Sequence, residues 1–413
     1  MRLPVALRGL RRRNLQLFFS GQLISLIGTW MQQVAVQWLV WRLTHSAPAL
    51  GLVTFLGQFP VFLLGTLGGS VADQIPRRRL VVVTQVAATV QALALAIVTL
   101  ARVATPALVM VLITLLGIIN AFDIPARQAL LSDLAETDLG NAIAINSSIV
   151  NGTRMIGPAI AGWLVALVGE GYCFLGNALS YGAIVASLLR MQVPAQVKAS
   201  GAHGHLRAGL RYAVRTPHVR TLLMLVATTS MFGLSYTALM PVFAARVLGG
   251  DARLLGTLLG AVGLGALVAA ITLLNQQGLR GLGRRVAWGA TLLGVGLLGL
   301  ASSRWVALSE ISLFCTGAGF MFQLTSTNTL LQTLAPPALR GRVMGLYSTL
   351  FIGMTPLGAL AAGWMAARIG APRTVGVGAV VVLFASVAFH LALPGLRKIV
   401  TRDYPSFFPP ELA

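Results

Sequence analysis

Apolar residues in this chain come in long runs, and the short segments between the runs hold most of the arginines. A helix that crosses a bilayer needs about 20 largely apolar residues. Twelve runs reach that length: 16–41, 49–72, 80–101, 106–126, 141–168, 171–190, 221–246, 254–276, 286–303, 305–332, 343–367 and 373–393. Six precede the segment at 191–220 and six follow it. Many are rich in Gly and Ala, which lets membrane helices approach closely. The pattern predicts an all-α integral membrane protein with a bundle over 1–190, a linker over 191–220 and a second bundle with its tail over 221–413.

The two halves echo each other. Leu130-Leu131-x-x-Leu134-Ala135-x-x-x-Leu139 returns as Leu330-Leu331-x-x-Leu334-Ala335-x-x-x-Leu339. Gly162-Trp163 with Gly169 returns as Gly363-Trp364 with Gly370. Leucine matches are common in so apolar a chain, but only seven tryptophans occur, so the Trp match carries weight. A parallel repeat in a membrane protein implies two pseudo-symmetric six-helix bundles with a pathway between them.

Polar positions inside the runs mark candidate pathway faces. In the first run Gln22, Ser25, Thr29, Gln33 and Gln37 follow steps of three or four, one stripe of a helix. The seventh run holds Thr228, Thr229, Ser230, Ser235, Tyr236 and Thr237, and the tenth holds Gln323, Thr325, Ser326, Thr327, Asn328 and Gln332. Such residues either line a cavity or hydrogen-bond helix to helix.

Charge fixes the orientation. Loops on the side of the N-terminus hold 23 of the 31 Lys and Arg residues, in groups at 2–13, 77–79, 127, 190–220, 280–285, 340–342 and 397–402. The opposite side holds seven: Arg42, Arg102, Arg246, Arg253, Arg304, Arg368 and Arg373. Arg154 alone lies inside a run. The positive-inside rule then places both termini in the cytoplasm. Within the linker, Arg207, Arg211 and Arg215 alternate with Leu206, Leu210 and Val214, the pattern of a short amphipathic helix at the interface or of a basic linker touching anionic lipid.

Composition agrees. The chain is 56% hydrophobic and 10% charged, against about 25% charged in soluble domains. The net charge of +21 does not point to nucleic acid, because the arginines are spread between runs and form no single face. Cys173 and Cys315 supply neither a disulfide framework nor a metal cluster, and His203 and His205 lack further ligands, so no metal and no cofactor is expected. The first run is long enough to span and lacks a small-residue cleavage site, so it is not a cleavable signal peptide.

Three motifs narrow the class. Gly69-Ser70-Val71-Ala72-Asp73-Gln74-Ile75-Pro76-Arg77-Arg78-Arg79 joins the second and third spans. Its Gly69, Ala72, Asp73, Arg77 and Arg78 resemble the helix 2–3 loop of the major facilitator superfamily, with Gln74 and Pro76 in place of the usual Arg and Gly. The resemblance implies that this loop helps latch the two halves and that Gly69 permits close helix approach. Gly157-Pro158, with Gly152 and Gly162, resembles in part the helix 5 motif of exporters in that superfamily, and otherwise reads as a packing kink. Phe122-Asp123-Ile124-Pro125-Ala126-Arg127-Gln128, with Gly28-Thr29-Trp30-Met31-Gln32, is similar to the branch that contains the bacterial enterobactin exporter. Asp123 and Arg127 are four apart, but Pro125 is expected to interrupt the helix between them.

Arg154 should face the bundle interior, water or an acid, because a mid-membrane arginine costs about 2.5–3.5 kcal/mol on insertion scales. It is either part of a substrate or coupling site or the partner of Asp123 in an interhelical ion pair. Of ten acids only Asp123 and Glu310 fall within runs, while Asp133, Glu136 and Asp138 are expected in a loop. Cavity candidates are therefore Gln33, Gln37, Arg154, Tyr236, Gln323 and Asn328. Coupling and gating candidates are Gly69, Asp73, Arg77, Arg78, Asp123, Arg127, Gly157 and Pro158.

The chain contains no G-x-x-x-x-G-K-[ST], no H-E-x-x-H and no G-x-S-x-G. The resemblance implies a monomeric secondary transporter that exports a small amphipathic, siderophore-like or drug-like molecule by alternating access, with protons as counter-ion. Rivals are a lysophospholipid transporter of the same fold and a polytopic membrane enzyme, which would need a catalytic cluster that the spans do not offer.

Overall fold

The computed structural model describes residues 12–135, 139–191, 206–274 and 281–403. His203, His205, Glu136 and Asp138 lie outside them. The described residues are helical nearly throughout. Helices α1 (Arg13–Thr44), α2 (Ala47–Gln74), α3 (Arg77–Leu100), α4 (Pro106–Ala135), α5 (Leu139–Val168) and α6 (Glu170–Leu189) make the first set. A short α7 (Leu206–Arg215) precedes α8 (Pro217–Thr228), which continues as a π-helical turn (Thr229–Gly233), α9 (Tyr236–Val242) and a second π turn (Phe243–Val247). Then come α10 (Ala252–Leu274), α11 (Leu282–Ser302), α12 (Val306–Leu334), α13 (Pro337–Ile369) and α14 (Ala371–Asp403).

Eleven helices, counting Pro217–Val247 as one, are long and apolar enough to cross a membrane. The twelfth run of spanning length is α5, with 30 residues. Asn141, Asn146, Ser147, Ser148, Asn151, Thr153 and Arg154 make it too polar to qualify by composition. A polar helix of that length inside a membrane protein needs water or protein around its polar face.

The chain divides into two compact units. One contains α1–α6 together with the segment Ala244–Gly260, and the other contains α7, α8 and the remainder through α14. In the first, α1 lies between α5 and α6, while α2 packs on α4. Leu15, Phe18, Leu80, Val81, Leu130, Leu134 and Leu188 form its core at the end assigned to the cytoplasm. In the second, Val219, Leu222, Val286, Ala290, Leu331 and Val343 form the counterpart. The repeated Leu-Leu-x-x-Leu-Ala stretches are the core-facing ends of α4 and α12: Leu131, Leu134 and Ala135 are buried, as are Leu331, Leu334 and Ala335.

The second echo has a backbone cause. Gly169 ends α5 and Gly370 ends α13, and both have φ of 85°. L-residues rarely adopt that conformation, so glycine stops each helix and lets the next begin at once. Trp163 and Trp364 are half exposed on the outside of these helices, as expected of aromatic residues meeting lipid near a helix end.

Two local expectations change. Pro125 lies inside a continuous α4 and does not break it, because flanking turns re-satisfy the freed backbone groups. Asp133 is in the last turns of α4, not in a loop. Glycine contacts also differ from the motif reading. A Cβ on Gly69 would meet nothing within 4 Å, whereas one on Gly68 would lie 2.0 Å from the carbonyl oxygen of Ala121. The close crossing of α2 and α4 therefore runs through Gly68. In the other unit α10 and α12 cross in the same way, with Gly317 against Val262 and Gly265 against Phe314.

α7 is amphipathic, as the linker pattern predicts. Ala213 is buried against the core of the second unit, while Leu210, Arg211, Val214 and Arg215 are exposed.

Candidate functional site

The polar face of α5 is built against α1. Gln22 Nε2 donates to Asn146 Oδ1 at 2.8 Å. Eleven residues further along α5, Gly157 brings the helix so close that a Cβ there would lie 2.5 Å from the Cβ of Trp30. This packing sets Arg154 above the Trp30 ring, with its guanidinium carbon 5.8 Å from the centroid. Arg154 has no ion pair among the described residues. Trp30 Nε1 is buried and has no acceptor. Gln33, the next residue of α1 on this side, is exposed, while Gln37 is buried. Pro158 is buried in the continuous α5.

Toward the C-terminal end of α5, Gly162 and its neighbours are packed. Gly162 meets Gly256 and the carbonyl of Ala252, all within the first unit. Arg253 stacks over Trp163 at 5.3 Å and Arg246 over Trp41 at 4.8 Å. Arg246 also donates to the His45 carbonyl at 3.1 Å. Arg42 and Glu170 pair at 2.8 Å, joining α1 to the start of α6. Each cation stacks on a ring or bonds an acceptor, the arrangement that stabilises charge at a membrane interface.

Asp123 is 1% exposed. One of its oxygens accepts from Thr84 Oγ1 at 2.7 Å and from Gln85 Nε2 at 2.8 Å, and the other accepts from Arg127. The Asp123–Arg154 ion pair does not form: α4 supplies its own cation one turn away. Behind it lies a buried polar layer in which Asn177 Nδ2 donates to Gln32 Oε1 at 2.7 Å and Gln32 Nε2 donates to Gln91 Oε1 at 3.1 Å. Tyr181 and Thr29 hydroxyls are 3.3 Å apart. The Gln22–Gln37 stripe is thus not one surface. Gln22 faces α5, Thr29 faces α6, and of the stripe only Gln33 is exposed.

The described bonds of the loop between α2 and α3 tie it to α4 and α6. Arg77 Nη1 donates to Asp133 at 2.5 Å and to the Ala129 carbonyl at 3.4 Å. Asp73, half exposed, lies 3.6 Å from Arg77. Arg78 donates to the carbonyls of Leu188 and Leu189, both at 2.8 Å, which satisfies the end of α6. Exchanging the charges in Arg77→Asp/Asp133→Arg should retain most of the folded yield that Arg77→Asp alone loses. Equal yields for the two variants in a size-exclusion profile would show that the pair does not join α3 to α4.

In the second unit, the π turn puts Thr229 against α12. Gln323 Nε2 donates to Thr229 Oγ1 at 3.0 Å, and Gln323 Oε1, Ser326 Oγ and Thr327 Oγ1 are buried without partners. Gly358 approaches the Met231 carbonyl to 1.9 Å from its virtual Cβ, so α13 holds this turn. Single π turns often mark functional positions in helices. Tyr236 is buried. Asn328 is partly exposed and accepts from Gln332 at 2.6 Å.

A family model described as transmembrane secretion effector matches residues 5–412. The chain belongs to this family. It is a secondary transporter of the major facilitator type. It is 26% identical to the staphyloferrin A transporter of Staphylococcus aureus over 90% of this chain and 94% of that one. The multidrug efflux pump Tap of Mycolicibacterium fortuitum is 27% identical over 94% of this chain and 98% of its own. The enterobactin exporter EntS of Escherichia coli is 25% identical over 92% of each chain. A bacterial homologue of the human lysosomal transporter Spinster shares the fold with a TM-score of 0.70 at 14% identity, covering 93% of this chain and 97% of the other.

For this transporter, the residue patterns in the sequence overlooked the buried layer of Gln32, Thr84, Gln85, Gln91, Asn177 and Tyr181. Its signal was present as isolated amides within the apolar runs of α3 and α6. Their spacing shows no stripe, because each answers a partner on another helix.

Proposed function

We propose that this transporter carries small amphipathic molecules, siderophore-like or drug-like, out of the cytoplasm across the bacterial inner membrane. Both termini are cytoplasmic in this reading, the working unit is a monomer, and neither catalysis nor a cofactor is involved. The observation that carries it is the two-part face of α5, polar and accessible around Arg154 and packed at Gly162 toward its C-terminal end. Such a face gives a polar solute a place at mid-span with a close helix crossing on one side of it, as alternating access requires. The staphyloferrin A transporter, the multidrug efflux pump Tap and the enterobactin exporter EntS, its relatives, support the substrate class.

Protons are the proposed counter-ion, with Asp123 as the coupling carboxylate. Protonating it would release Arg127 and loosen α3 from α4. Proteoliposomes carrying a pH gradient test this against a panel of siderophores and cationic dyes. We expect at least one compound to accumulate well above protein-free liposomes, and nigericin to abolish the accumulation. Accumulation that survives nigericin would remove the proton coupling. Accumulation equal to that of protein-free liposomes for the whole panel would remove the export reading.

A further inference from the structure

Resting on that reading of the α5 face, we infer that Arg154 and Trp30 form a receptor for the anionic group of the substrate, a carboxylate attached to a flat apolar body.

Depth comes first. Arg154 is 15 residues from the start of α5 and 14 from its end, so roughly 22 Å of helix lies on either side. A guanidinium at that depth needs a counter-charge or water.

Direction comes second. Beyond Arg154 in α5, the exposed Ile156, Ile160, Trp163 and Leu167 follow steps of four, three and four, while Leu139, Ile143 and the terminal Val168 are exposed off that line. The first four define the lipid-facing stripe. At about 100° per residue, Arg154 sits roughly 150° around the helix from that stripe. Pro158, Ala161 and Val165 follow it on its own face and are buried. Arg154 is exposed, with its guanidinium over the Trp30 ring of α1. Its exposure is therefore on the side of α5 turned away from that stripe and toward α1.

The missing counter-charge comes third. Among the described residues of the spans, Asp73, Asp133, Glu170 and Glu310 lie in the first or last turns of their helices, the first three paired with Arg77 or Arg42, and Asp123 lies deeper. Asp123 is saturated by Thr84, Gln85 and Arg127. Glu310 is four residues from the start of α12 and thus near a membrane face. The described residues place no acid in ion-pair contact with Arg154. Its in-plane donors remain free, and a planar carboxylate matches two of them at once.

The ring completes the site. Trp30 lies under the guanidinium and continues as an apolar platform, and Gln33 offers a neutral hydrogen-bonding group on the next turn. A solute with a carboxylate at one end and a flat apolar body at the other fits both parts. A free cation or a neutral solute uses only one.

The test is equilibrium binding of 1-pyrenebutyrate and its neutral counterpart 1-pyrenebutanol to the full chain in nanodiscs, in chloride buffer. We expect wild type to prefer the carboxylate by about tenfold or more. Arg154→Gln should abolish that preference while leaving the alcohol bound as before, and Arg154→Lys should restore part of it. Loss of both probes in Arg154→Gln, with its melting profile unchanged, would overturn the inference, as would a wild type that prefers neither. The same probes in proteoliposomes separate the two readings. Equal transport of both probes by wild type and Arg154→Gln keeps export and removes the anion site. Carboxylate preference in binding without any driven transport keeps the anion site and removes export.

Discussion

Arg127→Leu should lower the stability of the folded transporter by about 3–5 kcal/mol, the range for removing one partner of a buried ion pair. The cause is what remains. Asp123 would keep its position inside the bundle with only Thr84 and Gln85 as donors. Two neutral hydrogen bonds do not replace a cation beside a buried carboxylate. Thr84→Val is the informative contrast. It removes one of the three donors, and an interhelical hydrogen bond in a membrane averages about 0.6 kcal/mol. The double variant Asp123→Asn/Arg127→Leu removes the charge together with its partner and should recover much of the loss. Thermal unfolding in detergent, arranged as a double-mutant cycle, checks all three. Similar losses for Thr84→Val and Arg127→Leu would mean that Asp123 carries no charge in the folded protein.

Gly68→Val should be the most damaging change in α2, and Gly69→Val should be mild. The two glycines are neighbours in sequence and differ only in direction. At Gly68 the added Cβ would lie 2.0 Å from the Ala121 oxygen and 2.9 Å from its carbonyl carbon. Both atoms belong to α4 backbone, which cannot rotate aside as a side chain can, so the helices must separate. Overpacking of this kind costs about 1–3 kcal/mol and occasionally more. At Gly69 the space is open, and exchanging glycine for a residue with better helix propensity gains a few tenths of a kcal/mol. Melting temperatures from fluorescence-detected size exclusion discriminate the pair. Equal shifts would refute the close crossing at Gly68. Gly358 and Gly317 make backbone approaches of the same kind, so the effect belongs to helix crossings in both units.

Residue by residue, the sequence was most legible where one physical requirement acts alone. Bilayer thickness sets run length, so the spans were readable despite uncertain ends. The twofold occurrence of Gly-Trp with a following glycine was readable too, because both copies need a left-handed backbone at Gly169 and Gly370. Arg154 was marked by cost alone, since no arginine enters a span without a reason. Its partner was not marked. Asp123 was the natural guess, being a buried acid on the preceding helix, and Pro125 argued against its nearer partner Arg127. α4 absorbs that proline, so the i,i+4 pair forms and Arg154 is left over Trp30.

By itself the sequence determined the all-helical membrane class, the apolar runs, the repeat and the alternation of charge between loops. Each follows from local apolar length or from electrostatics summed over loops, and neither depends on which helices meet. The tertiary structure decided which of two adjacent glycines carries the α2–α4 crossing. It also decided which acid takes which arginine, and which glutamine of a regular stripe is accessible. These are questions of rotation about a helix axis. A rotation of one residue, about 100°, turns a residue from lipid to partner to water, and only the neighbouring helices select it.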